Sequence, residues 1–193
     1  MKAKIAHCAW AAFLVLGISS PASASFTGSY DVANWVFSEL AGTGGAVDTS
    51  LAPASIKLTS GNSGIAGDSF FTVVASGAET ISFNWSYETH DLWGESGADA
   101  FGYVINGVVT TLIDPNQDFT IPAQSGSASF TVNAGDVFGF NANTLDGFYG
   151  SSVTVVSNFS AVPAAVPLPS AIWVFGSAIT GICAVSRRRT IKA

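Results

Sequence analysis

Three carboxylates stand four residues apart, Asp91, Glu95 and Asp99, in the polar stretch 90–103, which reads HDLWGESGADAFGY. Oxygen-rich loops of this kind suit calcium, which takes about six to eight hard oxygen ligands, many of them main-chain carbonyls. The spacing departs from the EF-hand pattern of alternating acids closed by a glycine. The plainer reading of the same residues is a set of solvated surface acids. His90 beside Asp91 invites comparison with a Ser-His-Asp hydrolase, but no Gly-x-Ser-x-Gly occurs and nothing places a serine. An exposed loop histidine is the expectation. With no cysteine between residues 9 and 182, a zinc site is not expected.

Aromatic side chains offer a second kind of chemistry, since a ring face can stack on the apolar C–H patches of a sugar. Trp93 sits between Leu92 and Gly94 in the acidic stretch, and Phe148-Tyr149 follows the Asp146-Gly147 turn. These three are the expected stacking candidates. Trp85 alternates with other apolar residues and is read as core. Glycoside hydrolysis would need two acids at a set separation across a cleft, and no two acids stand out.

The charge is unevenly distributed. The chain has 193 residues, 7 Lys+Arg and 13 Asp+Glu, for a formal net charge of −6. Lys2 and Lys4 lie in front, and Arg187, Arg188, Arg189 and Lys192 behind, so residues 25–161 hold Lys57 as the one base against all thirteen acids, a net of −12. Such a body has no basic footprint for a phosphate backbone, which excludes nucleic-acid binding. A hydrophobic content of 48% with only 10% charged residues also excludes a disordered chain.

The elements that position these groups read as strands. In Glu79–Thr89, Ile81, Phe83, Trp85 and Tyr87 face one way and Ser82, Asn84, Ser86 and Glu88 the other, the period of two that marks a half-buried strand. Phe101–Ile105 and 108–113 flank Asn106-Gly107, a strong hairpin signal. Further runs fall at 35–37, Ser55–Thr59, 70–75, 119–121, 128–132, 137–141 and 152–159, separated by Gly, Asn, Asp and Ser. Segment 25–50 is less regular and has room for an edge strand. About ten short strands without a repeat predict one all-β domain, a single antiparallel β-sandwich. The phrases ISFNWSYETHD, DAFGYVING and AGDVFGFNANTLDGFYG resemble jelly-roll, CUB-like and carbohydrate-binding sandwiches, which supports the fold.

Both ends read as targeting segments. Lys2 and Lys4, the apolar run 8–18 and Ala22-Ser23-Ala24 form a secretory signal peptide, with cleavage expected after Ala24. The uncharged stretch 170–186 is seventeen residues long, which at 1.5 Å per residue spans roughly 25 Å and suits a short membrane helix. Arg187, Arg188 and Arg189 follow and would hold that end in the cytoplasm. The two cysteines, Cys8 and Cys183, fall inside these segments, so the body has no disulfide.

Upstream of the apolar stretch stand Val166, Pro167, Leu168, Pro169 and Ser170. The run VPLPSAIWVFGSAITGICAVSRRR resembles the PEP-CTERM sorting signal in its Val-Pro-Leu-Pro-Ala variant, over residues 166–193. The resemblance implies export through the Sec translocon from a Gram-negative, exopolysaccharide-making cell, transient anchoring, and processing by an exosortase near the proline motif. Leu168 replaces the acid of Pro-Glu-Pro, and Ser170 stands where the variant has Ala. An ordinary single-pass anchor is the simpler alternative.

The expected organisation is a signal peptide (1–24), a β-sandwich (25–160), a proline-rich spacer and sorting motif (161–169), a membrane helix (170–186) and a basic tail (187–193). The expected function is a binding or structural module of the envelope or extracellular matrix, without a catalytic role or an obligatory cofactor, with exopolysaccharide as the candidate partner. A secreted carbohydrate-active or other hydrolytic enzyme is the rival.

Overall fold

The computed structural model describes residues 25–40, 42–91, 97–113 and 123–164. Ten strands run through them: β1 Val36–Glu39, β2 Ala46–Asp48, β3 Ser55–Thr59, β4 Gly67–Val74, β5 Glu79–Thr89, β6 Phe101–Ile105, β7 Val108–Thr111, β8 Ala123–Val132, β9 Val137–Thr144 and β10 Ser152–Pro163. They form two five-stranded sheets, ordered β1-β4-β9-β6-β7 and β2-β3-β10-β5-β8. All pairings are antiparallel. Strands β3 to β10 alone give the orders β3-β10-β5-β8 and β4-β9-β6-β7, the double Greek key of a jelly roll. The expected antiparallel sandwich is therefore present, and β1 and β2 add one edge strand to each sheet.

Strand β5 shows why the sheets close on one another. Ile81, Phe83, Trp85 and Tyr87 are buried on one face, as the alternation predicts. They meet Phe71, Phe101, Phe138 and Phe140 of the other sheet, with Phe83 edge-on to Phe140 at 5.0 Å between ring centroids. Each large side chain removed from water in this way stabilises the fold by about 1.5–3 kcal/mol. The irregular segment 25–35 contributes Phe26, Tyr30 and Trp35 to the same core through two short 3-10 turns, Gly28–Tyr30 and Val32–Asn34. Trp35 stacks on Phe71 at 5.1 Å and on Phe140 at 5.5 Å. This segment carries more of the core than its lack of periodicity suggested.

Strand β10 departs from the expected boundaries. Residues 161–163, expected as spacer, continue the strand: Ala161 pairs with Ile81, Val162 with Thr80 and Pro163 with Glu79. A bulge between Ser157 and Ser160, with Asn158 at φ 51, switches the inward parity from Val156 to Phe159 and Ala161. Pro163 then ends the strand, because it has no N–H to offer. The folded unit reaches Ala164, whose N–H donates to the Ala78 carbonyl.

The strands give the sandwich two ends. Thr59, Thr89, Thr144 and Ser152 lie at one, here the loop end; Glu79, Pro163 and the Asn106-Gly107 turn lie at the other, the hairpin end. Asn106 and Gly107 both have positive φ, as that turn requires. Among the described residues no helix is long and apolar enough to cross a membrane. The expected signal peptide, strand 119–121, motif Val166 to Ser170, span 170–186 and tail Arg187 to Arg189 lie outside the described residues, as do Trp93 and Glu95.

Candidate functional site

Asp91 and Asp99, expected in a solvated loop, are both buried at the loop end, and Asp99 is only 1% exposed. For Asp99 the reason is that the pairing with β9 runs on beyond the start of β6. Leu145 N–H donates to the Ala98 carbonyl at 2.7 Å and Asn143 N–H to the Ala100 carbonyl at 2.8 Å. Strand alternation at this point sends the Asp99 side chain between the sheets. Its Oδ1 accepts from Ser60 Oγ at 2.9 Å, and its carbonyl accepts from the Tyr87 hydroxyl at 3.0 Å. Its Oδ2 has no hydrogen-bond partner, although the Thr144 hydroxyl approaches the carboxyl. Burial pushes Asp99 up to about 6, with the Asp91 and Asp146 charges adding to the rise and the Ser60 and Thr144 hydroxyls opposing it. Burial likewise pushes the Tyr87 hydroxyl up to about 12, so it remains a donor. His90 is exposed, as expected, with Nδ1 4.0 Å from Glu88.

Phe148 and Tyr149 stand on the loop after β9 and are 54% and 57% exposed, with the Phe148 ring lying over Gly64. Glycines hold this loop against its neighbours. A Cβ on Gly147 would lie 2.5 Å from Ile65 N, and one on Gly150 2.2 Å from the His90 carbonyl. Between them Tyr149 takes φ 68, an uncommon conformation for so bulky a residue. Trp85 is buried as expected and joins the core.

A cleft of about 480 Å³ lies on the outer face of the first sheet, near the loop end, lined by residues that include Asp68, Asn141, Asn143, Ala100, Thr111 and Leu145. The register of β4 against β9 assembles its polar wall. Asp68 is opposite Asn143 and Phe70 is opposite Asn141, all on the outward side of the alternation. Asp68 Oδ1 accepts from Asn141 Nδ2 at 3.0 Å and from Asn143 Nδ2 at 2.9 Å. Asn143 also donates to the Gly67 carbonyl at 3.3 Å. With both amide nitrogens drawn to one oxygen, Asp68 Oδ2 and the two amide oxygens are the acceptors left to a hydroxyl-rich ligand. Sequence reasoning missed these three residues. The available signal was Asn141-x-Asn143, two amides at the strand period on the face opposite Phe140 and Ala142.

Among the described residues no three His, Cys, Asp or Glu side chains are grouped to hold a metal ion. Of the expected calcium trio, Asp91 and Asp99 are brought to the same end and Glu95 lies outside the described residues.

No protein-family model matches the chain. No curated protein matches it either. Solved structures do. A carbohydrate-binding module of the β-sandwich superfamily is 13% identical with a TM-score of 0.41, over 67% of this chain and 57% of that one. A family 35 carbohydrate-binding module from Clostridium thermocellum is 12% identical with a TM-score of 0.35, over 65% and 92%. A module solved with β-1,4-galactotriose is 8% identical with a TM-score of 0.38, over 69% and 90%. The chain thus spans little more than half of the first of these structures.

Proposed function

We propose that the chain is an exported, non-catalytic sandwich that binds polysaccharide in the cleft on its first sheet. The observation that carries this reading is the Asp68–Asn141–Asn143 cluster, a carboxylate and two amides locked together in a concavity large enough for one or two sugar rings. Preset planar polar groups suit hydroxyl pairs, because their geometry is fixed before the ligand arrives. Phe70, half-buried opposite Asn141, adds a ring face on the same side of the sheet, and Phe148 and Tyr149 are exposed at the loop end. Asp68 is the one carboxylate lining the cleft among the described residues, whereas glycoside hydrolysis uses two across the bond. That favours binding over cleavage.

Export and sorting belong to the same proposal. The signal-like N-terminus would take the chain through the Sec translocon, and an exosortase would recognise Val166 to Ser170 and release it from its anchor to the cell surface or matrix. In support, β10 ends at Pro163, upstream of Val166, so processing there would leave every described strand intact.

The cleft is tested by binding to the producing cell's own exopolysaccharide. Wild-type protein should bind, and Asp68→Ala and Asn143→Ala should weaken binding at least about tenfold, since each leaves polar partners unpaired. Equal binding by the variants, or none by the wild type, would overturn the reading. Sorting is tested by mass spectrometry of mature protein: peptides from 172–193 should be missing, and an intact arginine tail would defeat it.

A further inference from the structure

We infer that the cleft takes a glycan bearing free amino groups, a cationic hexosamine polymer, with an ammonium group seated on Asp68 Oδ2. This rests on the polysaccharide reading of the cleft and names the class of polysaccharide. The donors of the polar cluster are already spent. Asn141 Nδ2 donates to Asp68 Oδ1 at 3.0 Å and to the Ser69 carbonyl at 3.5 Å. Asn143 Nδ2 donates to Asp68 Oδ1 at 2.9 Å and to the Gly67 carbonyl at 3.3 Å. An amide nitrogen carries two hydrogens, so each side chain has committed both. What the cluster presents to a ligand is therefore acceptors alone, Asp68 Oδ2 and the two amide oxygens. A sugar hydroxyl brings one donor, together with lone pairs that find no donor in the cluster. An ammonium brings three donors and no lone pair.

Charge points the same way. The Asp68 carboxylate is held by neutral amides, and Ala100, Val109, Ile113 and Leu145 give the cleft largely apolar walls. Low-dielectric walls focus the field of a charge they flank. Lys57 is the one Lys or Arg between Lys4 and Arg187. It lies on β3 in the other sheet, with Nζ 3.4 Å from Asp48. His90 is exposed beside Glu88. The sandwich thus has no base with which to meet a uronate, sulfate or phosphate in the cleft. Its net −12 over residues 25–161 repels polymers of that kind and draws in a cationic one. The C–H faces of an amino sugar still suit the apolar walls, so one ring can satisfy both kinds of surface.

The test titrates the full chain in detergent with hexasaccharides of glucosamine, N-acetylglucosamine and glucose in one linkage, and with a hexasaccharide of galacturonate. The first three differ only in the group on the second carbon. Glucosamine should bind at least about tenfold more tightly than the two neutral forms, because a charge-assisted hydrogen bond is roughly twice as strong as a neutral one. Galacturonate should not bind. Asp68→Asn keeps an acceptor for the two amides and should erase the preference. Glu88→Gln takes the same charge from the outer face of the other sheet and should retain it, which separates a seated ammonium from general attraction to an acidic surface. Equal or weaker binding of glucosamine by the wild type would overturn the inference, and that comparison decides even where a variant does not fold. A preference kept by Asp68→Asn, or lost equally in both variants, would also overturn it. If the producing cell's exopolysaccharide still binds through Asp68 and Asn143 after such a result, the cleft stands and only its ligand class falls. If neither that polymer nor any hexasaccharide binds, both fall.

Discussion

Ser60 and Asp99 join the two sheets at the loop end. Ser60 Oγ donates to Asp99 Oδ1 at 2.9 Å and accepts the Ser152 N–H at 2.8 Å, so one hydroxyl ties β3 and β10 to the approach of β6. The bond lowers the cost of burying the carboxylate without removing it, because burial still holds Asp99 at about 6, above its ordinary value of 3.8.

That displacement sets a pH dependence of stability. The folded state holds the Asp99 proton more tightly than the unfolded chain does, so folding is favoured below about pH 4 and loses stability as pH rises toward about 6. Above that range the loss is complete. Asp99→Asn removes the ionisation, and it should be more stable than wild type by about 1–3 kcal/mol at pH 7, the gap closing near pH 4. Urea unfolding at the two pH values measures it.

Tyr149 should show a trade between stability and binding. Glycine accepts its φ of 68 without a Cβ clash, so Tyr149→Gly should gain about 0.5–1 kcal/mol in urea unfolding. The same change removes an exposed ring and should weaken polysaccharide binding several-fold. Unchanged or tighter binding by the variant would argue that the ring has no part in binding.

Asn158 sets the parity of β10. Asparagine tolerates its φ of 51, and a β-branched residue does not. Asn158→Val should therefore lose about 1–2 kcal/mol, whereas Asn158→Gly should stay within about 0.5 kcal/mol of wild type. Both follow from the denaturant midpoint at unchanged slope.

The end of the folded unit can be located by truncation. Residues 25–164 should melt about 5 °C or more above residues 25–160, because the shorter form loses the buried Ala161 and the pairs of Ala161, Val162 and Pro163 with β5. Equal melting temperatures would return those residues to the role of spacer.

How much of this could be read from the sequence follows from the physics of each element. Strand β5 is legible to the residue because a central strand with one buried face must alternate. Strand β10 is legible only as far as its bulge, where the parity change hides Phe159 and Ala161 from a period-two reading. The first half of β8, with Ser125, Gly126 and Ser127, has no apolar pattern, and its pairing is dictated by β5. The cleft is silent in sequence for another reason: Asp68 and Asn141 are 73 residues apart and meet only through the register of β4 on β9. Asp91 and Asp99 were legible as oxygen donors, but not as buried ones. The depth of Asp99 comes from two main-chain bonds ahead of the start of β6.

Strand β10 also settles how the sandwich would respond to mechanical load. It lies between β3 and β5, starts at the loop end with Ser152 and finishes at the hairpin end with Pro163. A tether pulling on Ala164 while a polymer grips the loop end would draw β10 along its own axis. The ten registered pairs with β5 and five with β3 would then resist in shear, sharing the force instead of opening one after another.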